Sequence, residues 1–378
     1  MQIQERNGLS SSVAVAPLRR RPSVREASFG DYQQIAALQT RNGLSTRPRR
    51  EWTALWQGNP AYERDRHRWP IGWVLESEPG RIVGSIGNLP SAYLWKGELI
   101  RAATECDWAV DPEYRPFSLL LMQRIVNQPN ADLLLTTTVG AAAEPSYAAF
   151  QWSRVPAGQW DKAAFWITEG RGFLRSALVK KRTPLAGLAV YPMALALCCR
   201  NIFGARRKSR LWIEKRPEFD YSFDAFWQEL RHRKPDVLLA VRSAAALRWH
   251  FQGFGPSAWI VTASQGERMI AYAILVRRDN PEIGLKRLRL ADFQALEATE
   301  EALDGILNWV VEHCRLDGIH MLEDVGCVLE GLGIPRAPYH RDLASWAYYY
   351  RAQRSDLSHA LKEPSVWDAT SLDGDASL

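Results

Sequence analysis

ATECDWAVDPEYRPFSLLLMQRIVNQPNADLLLTTTVGAAAEPSYAAFQWSRVP, residues 103–156, is the stretch whose reading decides the fold. Thr104 to Val110 is a short strand-like run that stops at Asp111-Pro112, because the residue before a proline is biased away from helix. The period then changes. From Arg115 to Val126 the apolar residues Phe117, Leu119, Leu120, Leu121, Met122, Ile125 and Val126 suit a largely buried helix, and Asn127 to Asn130 supply its stop. Asp132 to Val139, rich in Leu, Thr and Val, predicts a second strand. Strand, helix and strand in this order read as a parallel crossover unit. The first turn of such a helix carries unpaired backbone N–H groups and the positive end of the helix dipole, so it suits an anion.

Val110-Asp111-Pro112-Glu113-Tyr114-Arg115 resembles the start of the V-x-P-x-Y-R phosphate loop of the GCN5-related N-acetyltransferase (GNAT) family, set between the same strand and helix. The family continues with glycines where this chain has Ser118 and Leu120, and Pro116 removes one N–H. It often has an asparagine after the second strand, where this chain has Gly140. Tyr147 and Phe150 fall where relatives carry the aromatics of the next helix. The resemblance implies a mixed-sheet α/β (α+β) fold that holds acetyl-CoA, or another acyl-CoA, in the V between two splayed strands. The pantetheine arm would lie along Trp108, Ala109 and Val110, and the diphosphate would sit at Arg115, Phe117, Ser118, Leu119 and Leu120. Backbone N–H groups beside the thioester would polarise its carbonyl.

Period-2 alternation places Glu105 and Asp107 on one face of the first strand, each a candidate general base. Tyr147 falls where family members often place a tyrosine that protonates the leaving thiolate. Each of these three also has a plain packing or sheet hydrogen-bonding reading. Cys106 alternates to the opposite face and has no assignable histidine, which argues against a Cys-His-Asp acyltransferase.

The 378 residues suggest two domains, and 46% hydrophobic with 24% charged residues is the composition of an ordinary globular protein. Residues 1–22 read as a disordered tail, and the run Arg19-Arg20-Arg21 as solvated rather than nucleic-acid-binding. Residues 23–170 read as one domain, which the resemblance implies is GNAT-like and binds acyl-CoA: strand from Val24, helix Asp31 to Thr40, helix Ser45 to Gln57, hairpin about Pro79-Gly80, and a closing strand Trp160 to Thr168. Residues 171–217 read as a helical connector. Its stretch from residue 180 to 208 is apolar between basic flanks, and its plain reading is packing between domains, its alternative a peripheral contact with the inner face of a membrane. Residues 218–355 read as a second, degenerate GNAT-like domain: its hairpin about Gly266 and its Asp292-Phe293 parallel Trp73 to Ile86 and Asp107-Trp108, but it has no phosphate loop. Residues 356–378 read as a frayed C-terminal tail.

Five cysteines form no C-x-x-C pair and no histidine spacing near them suits zinc, so the expectation is a cytoplasmic protein with no metal. The leading function is acyl transfer from CoA to an amine or hydroxyl of a small-molecule or glycan-precursor acceptor. The alternatives are an aminoacyl or peptidyl transferase of the peptidoglycan-building kind and an inactive GNAT-like scaffold. Sixteen tryptophans, several between Trp52 and Trp95, pack a core by default and otherwise line an acceptor pocket.

Overall fold

The computed structural model describes residues 21–181 and 210–378, apart from 67, 142, 298–299, 333–336, 338, 344–346 and 376. Most of the expected N-terminal tail, and the apolar core of the connector, lie outside the described residues. The strands of the first half are β1 (Ser23–Glu26), β2 (Gly72–Glu78), β3 (Arg81–Trp95), β4 (Glu98–Val110), β5 (Leu133–Val139), β6 (Ser153–Arg154) and β7 (Gln159–Ile167). Those of the second half are β8 (Trp212–Arg216), β9 (Leu239–Ala240), β10 (Ala258–Gln265), β11 (Arg268–Arg277), β12 (Arg287–Ala295), β13 (Met321–Gly326), β14 (Tyr339–Asp342) and β15 (Ala347–Ala352).

They form two mixed sheets. The first runs β1-β2-β3-β4-β5-β15-β6, with β9 on the far part of β3, and the second runs β8-β10-β11-β12-β13-β7-β14. The two orders match position by position. In each, the hairpin strands are antiparallel and one inner pair is parallel, β4 with β5 and β12 with β13. The next strand is exchanged between halves: β7 pairs antiparallel with β13, and β15 pairs antiparallel with β5. The closing strand expected of the first half therefore belongs to the second sheet, and residue 170 does not separate the sheets. Exchange follows from edge chemistry. The outer edges of β5 and β13 are rows of unpaired backbone groups, and a strand from the other half satisfies each.

Local sequence sets these elements. The helix Ser118–Val126 buries Leu121, Met122, Ile125 and Val126 against the first sheet. Each such side chain contributes about 1.5–3 kcal/mol. The helix expected over Ser45 to Gln57 is shorter, Arg49–Ala54, because Pro48 can only stand at its start. Trp52 and Trp56 meet edge to face at 5.1 Å. The tryptophans at 52, 56, 69, 73 and 95 are all buried, so they form core rather than an acceptor pocket. In the second half the helix Glu300–Leu316 packs its apolar stripe of Leu303, Ile306, Leu307, Val310 and Val311 on β10 to β13.

The C-terminal residues are no frayed tail. Leu357, Leu361 and Trp367 join the core shared by the two sheets, and Thr370, Ser371, Asp373 and Ser377 are buried polar residues. Among the described residues, no helix is long and apolar enough to cross a membrane.

Candidate active site where two parallel strands part

β4 and β5 pair at three positions only, Ala102 with Leu133, Ala103 with Leu134 and Thr104 with Leu135. Beyond Thr104 each strand is held from its outer side. β4 stays on β3 as far as Val110 opposite Gly84, and β5 stays on β15 as far as Val139 opposite Ala347. The inner edges facing each other across this fork run from Glu105 to Val110 and from Thr136 to Val139. Just past the parting, β4 bulges. Its register on β3 shifts between Ser85 and Gly87, and Asp107 takes a left-handed φ of 53°. Gly87 is needed here, because a Cβ on it would lie 2.6 Å from Cys106 Sγ. Bulges of this kind re-aim side chains beside active sites.

Glu105 is the first residue past the parting and is 5% exposed. Its Oε2 accepts from Thr136 Oγ1 at 2.9 Å and from Tyr147 Oη at 2.5 Å. Burial pushes its carboxyl up to about 7, against those two hydrogen bonds. Tyr147 is supplied by the helix Glu144–Ala149 and is fixed on every side: stacked on Tyr349 of β15 at 5.7 Å, edge-on to Trp152 at 5.3 Å and to Trp108 at 6.1 Å. Asp107 pairs with Arg47 Nη1 at 3.4 Å, and burial raises its carboxyl while Arg47 opposes the rise. Regular alternation placed Glu105 and Asp107 together. The bulge interrupts the alternation, and each has its own partners. Cys106 is buried in the apolar cluster beneath the sheet, where burial raises its thiol far above the ordinary value, so it is inert.

A third carboxylate comes from the far end of the chain. Asp375 accepts from Thr137 Oγ1 at 2.7 Å and from Thr138 Oγ1 at 3.1 Å, on the β5 side of the fork. Gly374 permits this approach: its φ is 74°, and a Cβ there would meet Thr137 at 2.6 Å. The segment is tied down further by His250 Nε2 against Ser377 Oγ at 2.7 Å, and by Arg47 and Arg278 donating to the main-chain oxygen of Leu378 at 3.3 and 3.2 Å. A cavity of about 470 Å³ opens beside these groups, lined by Arg47, Arg50, Glu51, Trp249, Phe254 and Arg278 among others.

Past Val110, at the open end of the fork, the loop Pro112–Phe117 is a 3₁₀ turn leading into the helix Ser118–Val126. Asp111 is clamped by Arg41, Nε to Oδ1 and Nη2 to Oδ2 both at 2.7 Å, and by Asn42 Nδ2 at 3.2 Å. Phe117 and Leu120 turn toward the core rather than across the turn. Arg115 is exposed and makes no ion pair among the described residues, Ser118 is half-buried, and Leu119 is 42% exposed. Ala109 and Val110 are buried in the strand, and the Trp108 indole N–H is buried with no hydrogen-bond partner among the described residues.

The second sheet repeats the fork. β12 and β13 pair in parallel from Arg287 with Met321 to Arg289 with Glu323, and then part. Here the carboxylate past the parting, Asp292, has no exposure. It is held by Arg242 at 2.9 and 3.1 Å, by Tyr272 Oη at 2.9 Å and by Thr370 Oγ1 at 3.0 Å. Residues 368–370 of the chain thus occupy this fork themselves, and Asp368 adds Lys234 at 2.7 Å and Arg242 at 3.3 Å. The charge of Asp292 is thus matched and solvent is excluded from it.

Sequence reading missed Arg47, Thr136, Tyr349 and Asp375. The pair of acids in Asp373-Gly374-Asp375 was the one local signal for the last of these; nothing local marks the others.

No family model matches the sequence, and no curated protein matches it. Solved structures do match in fold. A GCN5-related N-acetyltransferase from Anabaena variabilis is 14% identical with a TM-score of 0.55, over 88% of this chain and 73% of that one. A conserved protein from Enterococcus faecalis, described as a probable N-acyltransferase, is 11% identical with a TM-score of 0.55 over the same shares. Saccharomyces cerevisiae N-myristoyltransferase with bound myristoyl-CoA is 12% identical with a TM-score of 0.52, over 91% of this chain and 82% of that one.

Proposed function

We propose that this chain, which has the fold of the GCN5-related acyltransferases, moves an acyl group from CoA to an amine or hydroxyl at the fork between β4 and β5. The observation that carries the reading is the fork itself: two parallel strands that part at Thr104 and Leu135, a left-handed bulge at Asp107, and between them a buried carboxylate raised to about 7.

In this reading the pantetheine arm takes the backbone positions of a missing strand along the inner edge of β4, at Trp108, Ala109 and Val110. The CoA diphosphate meets Arg115 and the first turn at Phe117, Ser118, Leu119 and Leu120. Leu120, which stands in place of one of the glycines, packs against the core, as does Phe117, which supports this reading. The backbone N–H groups at the bulge receive the thioester carbonyl as charge develops on it. The acceptor enters from the cavity beside Arg47, and Glu105 takes its proton, directly or through water. A group poised near 7 is suited to that role, being ionised often enough to act and basic enough to pull. The carbonyl carbon gains a bond to the acceptor nitrogen or oxygen and loses its bond to sulfur, and CoA leaves as the thiol. Tyr147, already hydrogen-bonded to Glu105, is the candidate donor to the leaving thiolate. The acceptor class we favour is a small molecule with an amine or hydroxyl, a glycan precursor among them.

Release of CoA thiol from acetyl-CoA and longer acyl-CoAs, followed with a panel of amines and amino sugars, tests the proposal. Turnover that E105Q lowers by about a hundredfold or more is expected for a general base. Calorimetry that finds no heat with any acyl-CoA at millimolar concentration overturns CoA as the donor and leaves the aminoacyl- or peptidyl-transferase and scaffold readings.

A further inference from the structure

We infer that the second half of the chain carries a zinc site made by Cys327, Glu330 and His340. One ligand atom from each lies within 4.8 Å of the others, and no other such group occurs among the described residues. The three arrive from two elements. Cys327 follows β13 directly and is the N-cap residue of the short helix Val328–Gly331, on which Glu330 stands three residues later. His340 lies on β14, the edge strand of the second sheet, and its Nε2 is 2.7 Å from Glu330 Oε1. The helical turn and the edge strand bring together a Cys-x2-Glu-x9-His pattern that resembles no common zinc signature, which is why its spacing carried no message.

The donor set selects the metal. A tetrahedral zinc ion takes thiolate sulfur at about 2.3 Å and imidazole nitrogen or carboxylate oxygen at about 2.0–2.2 Å. Its ligand atoms are then spaced within the span already seen, so side-chain adjustment suffices to close the site. One thiolate, one imidazole and one carboxylate suit zinc better than magnesium or calcium, which prefer oxygen alone. The surroundings fit too. Cys327 is buried, whereas His340 is exposed and gives the ion a way in. Glu330 is already oriented, its Oε1 accepting from the Ala337 N–H at 3.2 Å. Among the described residues the group has three members, which leaves the fourth position to water or a ligand. Cys327 also lines a cavity of about 380 Å³ together with Phe293, Leu296, Leu303 and Trp367. The bound ion would pin β14 to the end of β13.

The test uses the full chain without an affinity tag, stripped with chelator and titrated with Zn2+ and with Co2+. One equivalent should bind, raise the melting temperature, and with Co2+ give the intense thiolate-to-metal charge-transfer band and the visible bands of a four-coordinate ion. C327S should lose the charge-transfer band. H340A, at an exposed edge position that leaves the core intact, should weaken binding by about tenfold or more while matching the stripped wild type in melting temperature. No binding, or one-equivalent binding with the same spectrum in both variants, overturns the assignment. Neither outcome bears on acyl transfer at the first fork.

Discussion

Tyr147 Oη stands 2.5 Å from Glu105 Oε2, joining the fork of the first sheet to the helix that follows it. The contact is sustained from behind by the ring of Tyr349, a residue that reaches the first sheet only because β15 crosses from the second half. The hydrogen bond favours the ionised carboxylate, so removing it raises the Glu105 pKa further. Y147F keeps the stacked ring and deletes only this bond. The acid limb of its rate–pH profile should move to higher pH, with a stability loss of about 1–2 kcal/mol. A lower rate at every pH is expected as well, from loss of the donor to the leaving thiolate; an undisplaced limb would show that the hydroxyl does not tune Glu105.

Glu105 itself makes stability and activity oppose each other. Its folded-state value of about 7 lies above the ordinary 4.5, so between those values the folded protein binds more protons than the unfolded chain. Stability from this group is therefore greatest below about pH 4.5 and falls as pH rises through 7, by about 3 kcal/mol in all. Gln has no proton to lose. E105Q should match the wild type in chemical denaturation at pH 5 and exceed it at pH 8, while losing turnover. An E105Q protein less stable than wild type at pH 8 would mean that the carboxylate is held by more than it is burdened.

Asp375 acts on Glu105 in the opposite sense to Tyr147. Its carboxylate raises the Glu105 pKa, and its own is raised by burial and by the Asp107 charge. D375N removes that charge and keeps an acceptor for Thr137 and Thr138. The acid limb should move to lower pH by up to about one unit. A variant with unchanged pH dependence would restrict Asp375 to holding the segment in place.

How much of this was legible follows from what each feature depends on. The strand, helix and strand from Thr104 to Val139 were readable because period and proline placement are local, and the hairpin about Gly80 was readable for the same reason. The repeat of the hairpin about Gly266 was readable as well. Glu105 could be nominated from its place in the strand, but its raised pKa depends on Thr136 and Tyr147, which fold onto it from two other elements. The exchange of β7 and β15 was beyond reach, because each strand has the same alternating pattern whichever sheet it completes. Residues 368–378 looked like a tail because acids and small residues are what tails contain. Their burial rests on partners some 70 to 280 positions away, such as Asp292 for Thr370 and Tyr93 for Asp373.

The buried pair at the second fork shows how that distant packing can be measured. Arg242 and Asp292 both have no exposed side-chain surface, and Arg242 also reaches Asp368. Desolvation opposes the charge on Arg242, but the two carboxylates hold it firmly ionised. R242M strands the carboxylates in a medium that cannot solvate them and should lose about 3–5 kcal/mol. D292N leaves Arg242 its contact with Asp368 and should lose less than R242M. Because Asp292 also accepts from Thr370, D292N should loosen the segment that carries Asp375 to the first fork. Hydrogen exchange over residues 368–378 should then rise in D292N, and the acid limb should shift in the direction expected for D375N. Faster exchange without any change in turnover would separate the two forks energetically.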